Sequence, residues 1–260
     1  MKQKVSDYIA DRLAQEGISQ VFTVTGGGAM HLNDSLGHHP GLSCLYHHHE
    51  QAAAMAAEAY ARVDNRMAAV CVTSGPGATN AITGALCAWM DSIPMLVLSG
   101  QVRYDTTVRH SGLKIRTMGV QEYDITPSVE PMTKYAVMVT DPLTIRYHLE
   151  RAIYLAKTGR PGPCWLDLPL NVQSAVVETD DLKAYDPSED AKELPAPVSE
   201  ETVKQILEKL KLASQPLIFA GHGIRLAGAY DEFQQLVELL GIPVVTGMSS
   251  IDLMESAHPL

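Results

Sequence analysis

Across 260 residues there are only four cysteines, and no two of them form a CxxC pair. Cys44, Cys71, Cys87 and Cys164 are scattered, mostly inside apolar runs such as AVCVT, where a free thiol behaves as a small hydrophobe. That excludes a disulfide scaffold and fits a reducing cytoplasm. No apolar run reaches the ~20 residues needed to span a bilayer, so the sequence predicts a soluble protein without a membrane segment. Positive charge is also short: 20 Lys and Arg stand against 30 Asp and Glu, a formal net charge of −10. A nucleic-acid groove or an anionic membrane surface would work against that field. With 46% hydrophobic and 19% charged residues, 19 Gly and 15 Pro, the composition is globular, neither disordered nor collagen-like.

Apolar patterning gives the organisation. Val5, Ile9 and Leu13 recur every four residues between charged ones, which predicts a first helix over 1–17 ended by Gly17 and not a signal peptide. Strands are expected at 20–25, 68–73, 95–98 and 164–168, alternating with helices at 28–36, 50–63, 79–89 and 143–158. This alternation is that of an α/β fold, a parallel sheet with helices on both faces. Residues 104–126 lack a clean period and read as loop with a short helix. Residues 176–201 are rich in acids and carry Pro187, Pro195 and Pro197, so they read as a linker over the surface. From 202 a second Rossmann-like α/β unit begins: helix 202–212, strand 216–220, helix 227–240 stopped by Gly241, strand 243–246. Such a half-domain is near the lower size limit for independent stability, and the chain reads as the front part of something longer.

Three features carry candidate chemistry. Gly26-Gly27-Gly28 follows the strand FTVT and opens a helix. Glycines at the end of a parallel strand let backbone approach a ligand closely. The pattern is neither GxGxxG nor Walker A, and a plain tight turn explains it equally well. The second feature is HHHEQAAAMAAEAYAR, from His47 to Arg62. Its Ala, Met and Tyr residues predict a helix buried all round, with Glu50 in its first turn entering a low-water environment. Burial and the helix N-terminus push such a carboxylate in opposite directions. The three adjacent histidines point in different directions and have no partner at a ligand-like spacing, so no metal site is assigned. The third feature is TSGPGATN, Thr73 to Asn80, where Gly75-Pro76-Gly77 forces a sharp turn and Thr79 and Asn80 put polar side chains at a helix start. Two Gly-bearing turns at neighbouring strand ends, with Glu50 between them in sequence, describe one cleft.

Together VFTVTGGGAMHLNDSL, HHEQAAAMAAEAYAR, VTSGPGATNAITGALCAWMDSIPMLVLSG and GRPGPCWLDLPLNVQ resemble the pyrimidine-binding domain of thiamine-diphosphate (ThDP) enzymes of the acetolactate synthase, pyruvate oxidase and decarboxylase group. The likeness runs over residues 1–175, and AGHGIRLAGA resembles the opening of the same enzymes' central domain, which binds FAD in some members. The resemblance implies that Glu50 hydrogen-bonds N1′ of the aminopyrimidine. It also implies that Pro76 and Asn80 line that ring, that Thr73, Ser74 and Gly75 shape the turn, and that Gly27 and Gly28 face the cofactor from the other side. Gln121 matches a glutamine on the substrate side. Val120 stands where acetolactate synthases usually carry an aromatic residue, which leaves room for a larger acceptor.

The triple glycine with Met30-His31-Leu32 looks most like members that add a pyruvate-derived two-carbon unit to a keto-sugar in surface polysaccharide biosynthesis. The family holds the diphosphate through Mg²⁺ bound by a GDG motif in a third domain, and no GDG occurs in these 260 residues. The expectation is therefore domain 1–175, linker 176–201, an incomplete central domain 202–260, and a Mg²⁺ half supplied from elsewhere. The resemblance also implies a homo-oligomer, at least a dimer, with the cofactor between subunits and a small 2-keto acid as substrate. A noncatalytic assembly subunit of the same fold is the alternative of another class. A dehydrogenase is disfavoured because the glycines of GHGIRLAG are misplaced for a dinucleotide fingerprint.

Overall fold

A computed structural model describes residues 1–191 and 196–260 and divides the chain into two compact units, Met1–Leu194 and Pro195–Leu260. In the first unit the strands are β1 (Lys2–Lys4), β2 (Gln20–Thr23), β3 (Ser43–Tyr46), β4 (Ala68–Val72), β5 (Met95–Gln101), β6 (Tyr135–Met138), β7 (Pro163–Pro169) and β8 (Val176–Glu178). Six of them form one parallel sheet in the order β3-β2-β4-β5-β7-β6. Strands β4, β5 and β7 are buried along their whole length, as expected for central strands covered on both faces. Their alternate residues feed two cores. Ala69, Cys71, Leu96, Leu98, Cys164 and Leu166 meet helices α1 (Val5–Gln15), α2 (Met30–His38) and Ile145–Lys157. On the other face helix α3 (Glu50–Asp64) contacts β2, β4 and β5, and Gly84 brings the helix Ile82–Asp91 so close to α3 that a Cβ on it would lie 2.4 Å from Cβ of Ala54. Burial pushes the Cys71 and Cys164 thiols up to about 12, so both act as packing groups.

The parallel sheet and its helices match the sequence expectation; several local features differ. The first helix starts at Val5, because Lys2–Lys4 pair antiparallel with Val176–Glu178. The edge strands β3 and β6 carry only four residues each and lack the full burial of the central strands, so they are the two members of the sheet that the sequence pattern does not predict. Helix α3 is amphipathic and not buried all round: Gln51, Ala52, Met55, Ala59 and Val63 face outward, while Ala53, Ala54, Ala57 and Ala61 are buried. Trp165 is core, but Trp89 is 40% exposed.

Much of the stretch read as a linker is docked on the first unit. Besides β8, Asp190 accepts two hydrogen bonds from Arg151 at 2.8 and 2.9 Å and one from the Tyr185 hydroxyl at 2.7 Å. An acid count cannot anticipate a partner on a distant helix. Residues 192–195, with Pro195, lie outside the described residues.

The second unit holds β9 (Ile218–Ala220) parallel to β10 (Val244–Thr246), with helices Gly223–Leu226 and Tyr230–Leu240 beside a small core of Ala220, Phe233, Val237 and Leu253, while the helix Glu200–Leu212 buries no residue. Gly228, at φ +66°, interrupts the helix expected over 227–240, and Gly241 ends it in the left-handed conformation.

Candidate functional site

The Gly-bearing turns, Glu50 and the loop that carries Gln121 follow the C-terminal ends of β2, β4, β3 and β5, where open parallel sheets place their ligands. The Gly26–Gly28 turn lies across the start of the Thr73-Ser74 turn. Gly28 N–H donates to Oγ1 of Thr73 at 3.0 Å, and a Cβ on Gly26 would fall 2.5 Å from Cβ of Thr73. On the opposite side Gly28 packs on β5: a Cβ on Gly100 would lie 2.1 Å from the Gly28 carbonyl oxygen. That carbonyl accepts a 2.7 Å hydrogen bond from Nε2 of Gln173, which also donates to Leu168 O at 2.6 Å. The turn is thus clamped from beneath, with Gly28 buried and Gly27 exposed next to open space.

Glu50 is the first residue of α3, where the helix dipole favours a negative charge. It is half-buried, wetter than its apolar surroundings in sequence suggest. Asn80 donates its amide to Oε2 of Glu50 at 2.9 Å. Oε1 lies over Gly77, 3.3 Å from where a Cβ would stand, and accepts no hydrogen bond among the described residues. Each histidine before Glu50 has its own task or none. His49 caps α3 by accepting the Gln51 N–H at 3.1 Å, the His47 ring nitrogen Nδ1 faces Leu45 O, and His48 is exposed.

The polar residues Thr79 and Asn80 do not cap a helix start. The helix Pro76–Asn80 is capped by Gly75, Thr79 donates back to Pro76 O, and Asn80 at the far end is thereby aimed at Glu50. Gly75 has φ +58°, a conformation that favours glycine, and a Cβ there would meet Gln121 O at 2.1 Å. Gln121 itself sits at φ +55°. The structure therefore brings Gly28, Glu50, Thr73, Ser74, Gly75, Asn80 and the Gln121 backbone together through direct contacts. Pro76, Val120 and Gln121 are exposed at the same strand ends, Val120 at 84%. Arg103 pairs with Asp105 and Arg109 with Asp124, so these loop cations are engaged within the loop region.

Sequence reasoning missed Gly100 and Gln173, the two residues that fix Gly28, and the buried carboxyl of Asp167. Gly100 follows the apolar run MLVL and Ser99, and Gln173 is one of several polar residues after LPL; only the polarity of Asp167 inside CWLDLP offered a signal. Asp167 is fully buried, and loss of water pushes its carboxyl up to about 7, against the opposing hydrogen bonds from Ser99 and Gln101.

Comparison with known proteins places the chain in a family. The N-terminal TPP binding domain of thiamine pyrophosphate enzymes matches residues 3–122, and the central domain of thiamine pyrophosphate enzymes matches residues 203–260. The acetolactate synthase large subunit of Lactococcus lactis subsp. lactis is 35% identical over 260 residues, which cover 98% of this chain and 43% of that protein. The isozyme 3 large subunit of Escherichia coli is 32% identical over 97% of this chain and 43% of its own length. The large subunit of Corynebacterium glutamicum is 37% identical over 92% of this chain and 37% of its own length. The chain thus spans less than half the length of these relatives. With two domains of one family matched in order, and such relatives along nearly the whole chain, it belongs to the thiamine pyrophosphate enzymes.

Proposed function

We propose that the full-length protein is an acetolactate synthase-like, ThDP-dependent carboligase or decarboxylase of 2-keto acids, and that this chain supplies the aminopyrimidine site. One observation carries the reading: a half-buried carboxylate with one oxygen held by Asn80 and the other open over a glycine. That donor set fits a ring nitrogen that shares a proton. Asn80 fixes the Glu50 rotamer, so Oε1 is held ready to share a proton with N1′ of the aminopyrimidine. Gly77 keeps space above that oxygen, Pro76 offers an exposed ring at the rim, and Gly27 lets backbone face the ligand closely. When bound, ThDP would supply the nucleophilic carbon and the electron sink that decarboxylation of a 2-keto acid requires. Gln121 takes the substrate side. We assign Mg²⁺ and the diphosphate to a further part of the protein, in keeping with the longer relatives, and leave FAD to the central domain as an option.

A partner subunit completes the proposal. Met55 and Val63 on α3 and Leu86, Trp89 and Met90 on the neighbouring helix form exposed apolar surface of the kind that marks an interface. We propose a homo-oligomer built on it. The free cysteines fit a cytoplasmic setting, and among the described residues no helix is long and apolar enough to cross a membrane. The exposed Val120 favours a second reading within the same chemistry, a bulky acceptor such as a keto-sugar.

The test is C2 proton exchange of ThDP on the full-length protein with Mg²⁺, followed by NMR. Glu50→Gln is expected to abolish exchange while cofactor binding persists; near-normal exchange refutes the assignment. A parallel screen of pyruvate and other 2-keto acids for carbon dioxide release, with and without a sugar-ketone acceptor, separates the two acceptor classes. No ThDP binding by the full-length wild type sinks the enzyme reading.

A further inference from the structure

Residues 103–122 leave the end of β5 and return close to it, carrying Val120 and Gln121. One side chain ties both ends of this loop. Oε1 of Gln101 accepts the Val102 N–H at 3.0 Å where the loop departs, and Nε2 of Gln101 donates to Tyr123 O at 2.8 Å where it returns. Gln101 is 1% exposed, and its second amide hydrogen goes to Oδ2 of Asp167 at 3.1 Å. Asp167 sits on the neighbouring strand β7, so its carboxyl sets the rotamer of the clasp. The other carboxyl oxygen meets the Ser99 hydroxyl at 2.6 Å, and that hydroxyl accepts the Trp165 indole N–H at 2.8 Å. Because a hydroxyl can donate or accept, Oδ2 stays available to Gln101 whether or not Asp167 carries a proton.

Inside the loop, Glu122 gathers the chain around one carboxylate, accepting from the N–H groups of Val108 at 2.6 Å, Met118 at 2.8 Å and Gly119 at 3.1 Å. Gln121 directly precedes Glu122, the centre of this hub, and stands two residues before the Tyr123 anchor; its carbonyl occupies the space that Gly75 leaves open. A shift at Tyr123 therefore moves Gln121 relative to the turn that precedes Pro76.

We infer that Asp167 and Gln101 are positioning residues: the Asp167 carboxyl locks the Gln101 clasp, and the clasp sets the register of Gln121 at the substrate side. The substrate part of this inference rests on the proposed function; the clasp does not.

The experiment compares Asp167→Leu, Gln101→Leu, Asp167→Asn and Ser99→Ala in the full-length protein. Asn is the conservative rescue, since it keeps an oxygen toward Gln101 and turns its amide to Ser99. Trypsin cleavage at Lys114 and Arg116, both exposed in the loop, reads the clasp directly. Each Leu variant is expected to raise the loop cleavage rate ~10-fold, the scale of one lost buried hydrogen bond. The double Leu variant adds nothing further, and Asn and Ser99→Ala remain near wild type. In turnover, the Leu variants raise KM for the 2-keto acid several-fold more than they lower kcat.

Loop cleavage that is unchanged, or that rises only in step with a fall in the unfolding midpoint, overturns the inference, as does faster cleavage with an unaltered KM. Should Asp167→Leu not fold, Gln101→Leu and its Asn-containing double variant decide the matter. Absence of ThDP binding by the wild type would remove the enzyme reading alone and leave the cleavage result to judge the clasp.

Discussion

Asp167→Asn should make the protein more stable in alkali, an unusual direction for the removal of a well-bonded polar group. Asp167 is fully buried, and its carboxyl is pushed from an ordinary 3.8 to about 7. A group that holds its proton more tightly when folded favours the folded state at low pH. The benefit is complete below about pH 4 and is lost as pH rises through about 7. A shift of about three units corresponds to roughly 4 kcal/mol in total. Asparagine imitates the protonated form at every pH, so the variant does not suffer this loss. Asp105, Asp180, Asp186 and Asp190 are held below the usual carboxylate range by their hydrogen bonds and work in the opposite sense, but they are common to both proteins.

The difference between variant and wild type isolates Asp167. Urea unfolding in a Trp89→Phe background, followed by the fluorescence of buried Trp165 beside Ser99, reports the first unit alone. Measured from about pH 4 to about pH 8, the stability difference should shift toward the variant by a few kcal/mol and level off above neutrality. A difference that stays flat across this range refutes the argument, because it means that Asp167 titrates alike in folded and unfolded chains.

Two further outcomes follow from close approaches. Gly100→Ala places a Cβ 2.1 Å from the Gly28 carbonyl, backbone against backbone between a buried strand and a clamped turn, and should cost about 2–4 kcal/mol of first-unit stability. Thermal unfolding checks it, and a midpoint within a degree or two of wild type would show that the turn yields freely. Arg151→Met strips Asp190 of both guanidinium hydrogen bonds and leaves only Tyr185, at an expected cost of about 1–3 kcal/mol. Proteolysis around Tyr185 and Pro187 should accelerate before the rest of the first unit unfolds; cleavage that keeps pace with global unfolding would mean that this segment is not separately anchored.

How far each element could be read from sequence depends on where its stabilisation comes from. Strands β4, β5 and β7 are buried on both faces, so apolar residues fill them continuously and no alternation is needed to find them. Strands β3 and β6 pair on one side only; SCLY has no buried position and YAVM only one, its last, so neither carries the burial of a central strand. For β1 local sequence holds no strand signal: KQK becomes a strand because VVE, far along the chain, returns to pair with it. The same reason accounts for the acidic stretch before residue 191, whose fate is settled by Arg151 on a distant helix.

The candidate site divides along the same line. Glycines at strand ends and a glutamate at a helix start are local signals, and each could be noted before any contact was known. What each glycine makes room for is a tertiary fact. Gly26 and Gly77 both accommodate Thr73, Gly75 accommodates the Gln121 carbonyl, and Gly100 accommodates Gly28. Seen this way the glycines are less a set of ligand contacts than the places where four chain segments cross at van der Waals distance. Among the glycines of the two candidate-site turns, only Gly27 faces open space. The crossing holds Thr73, Gly77 and Asn80 in fixed relation to Glu50, which is what a carboxylate needs if it is to meet one nitrogen of a bound ring in one geometry. A polar pair such as Glu50 and Asn80, thirty residues apart, becomes a site only because the backbone beneath it has no side chains in the way.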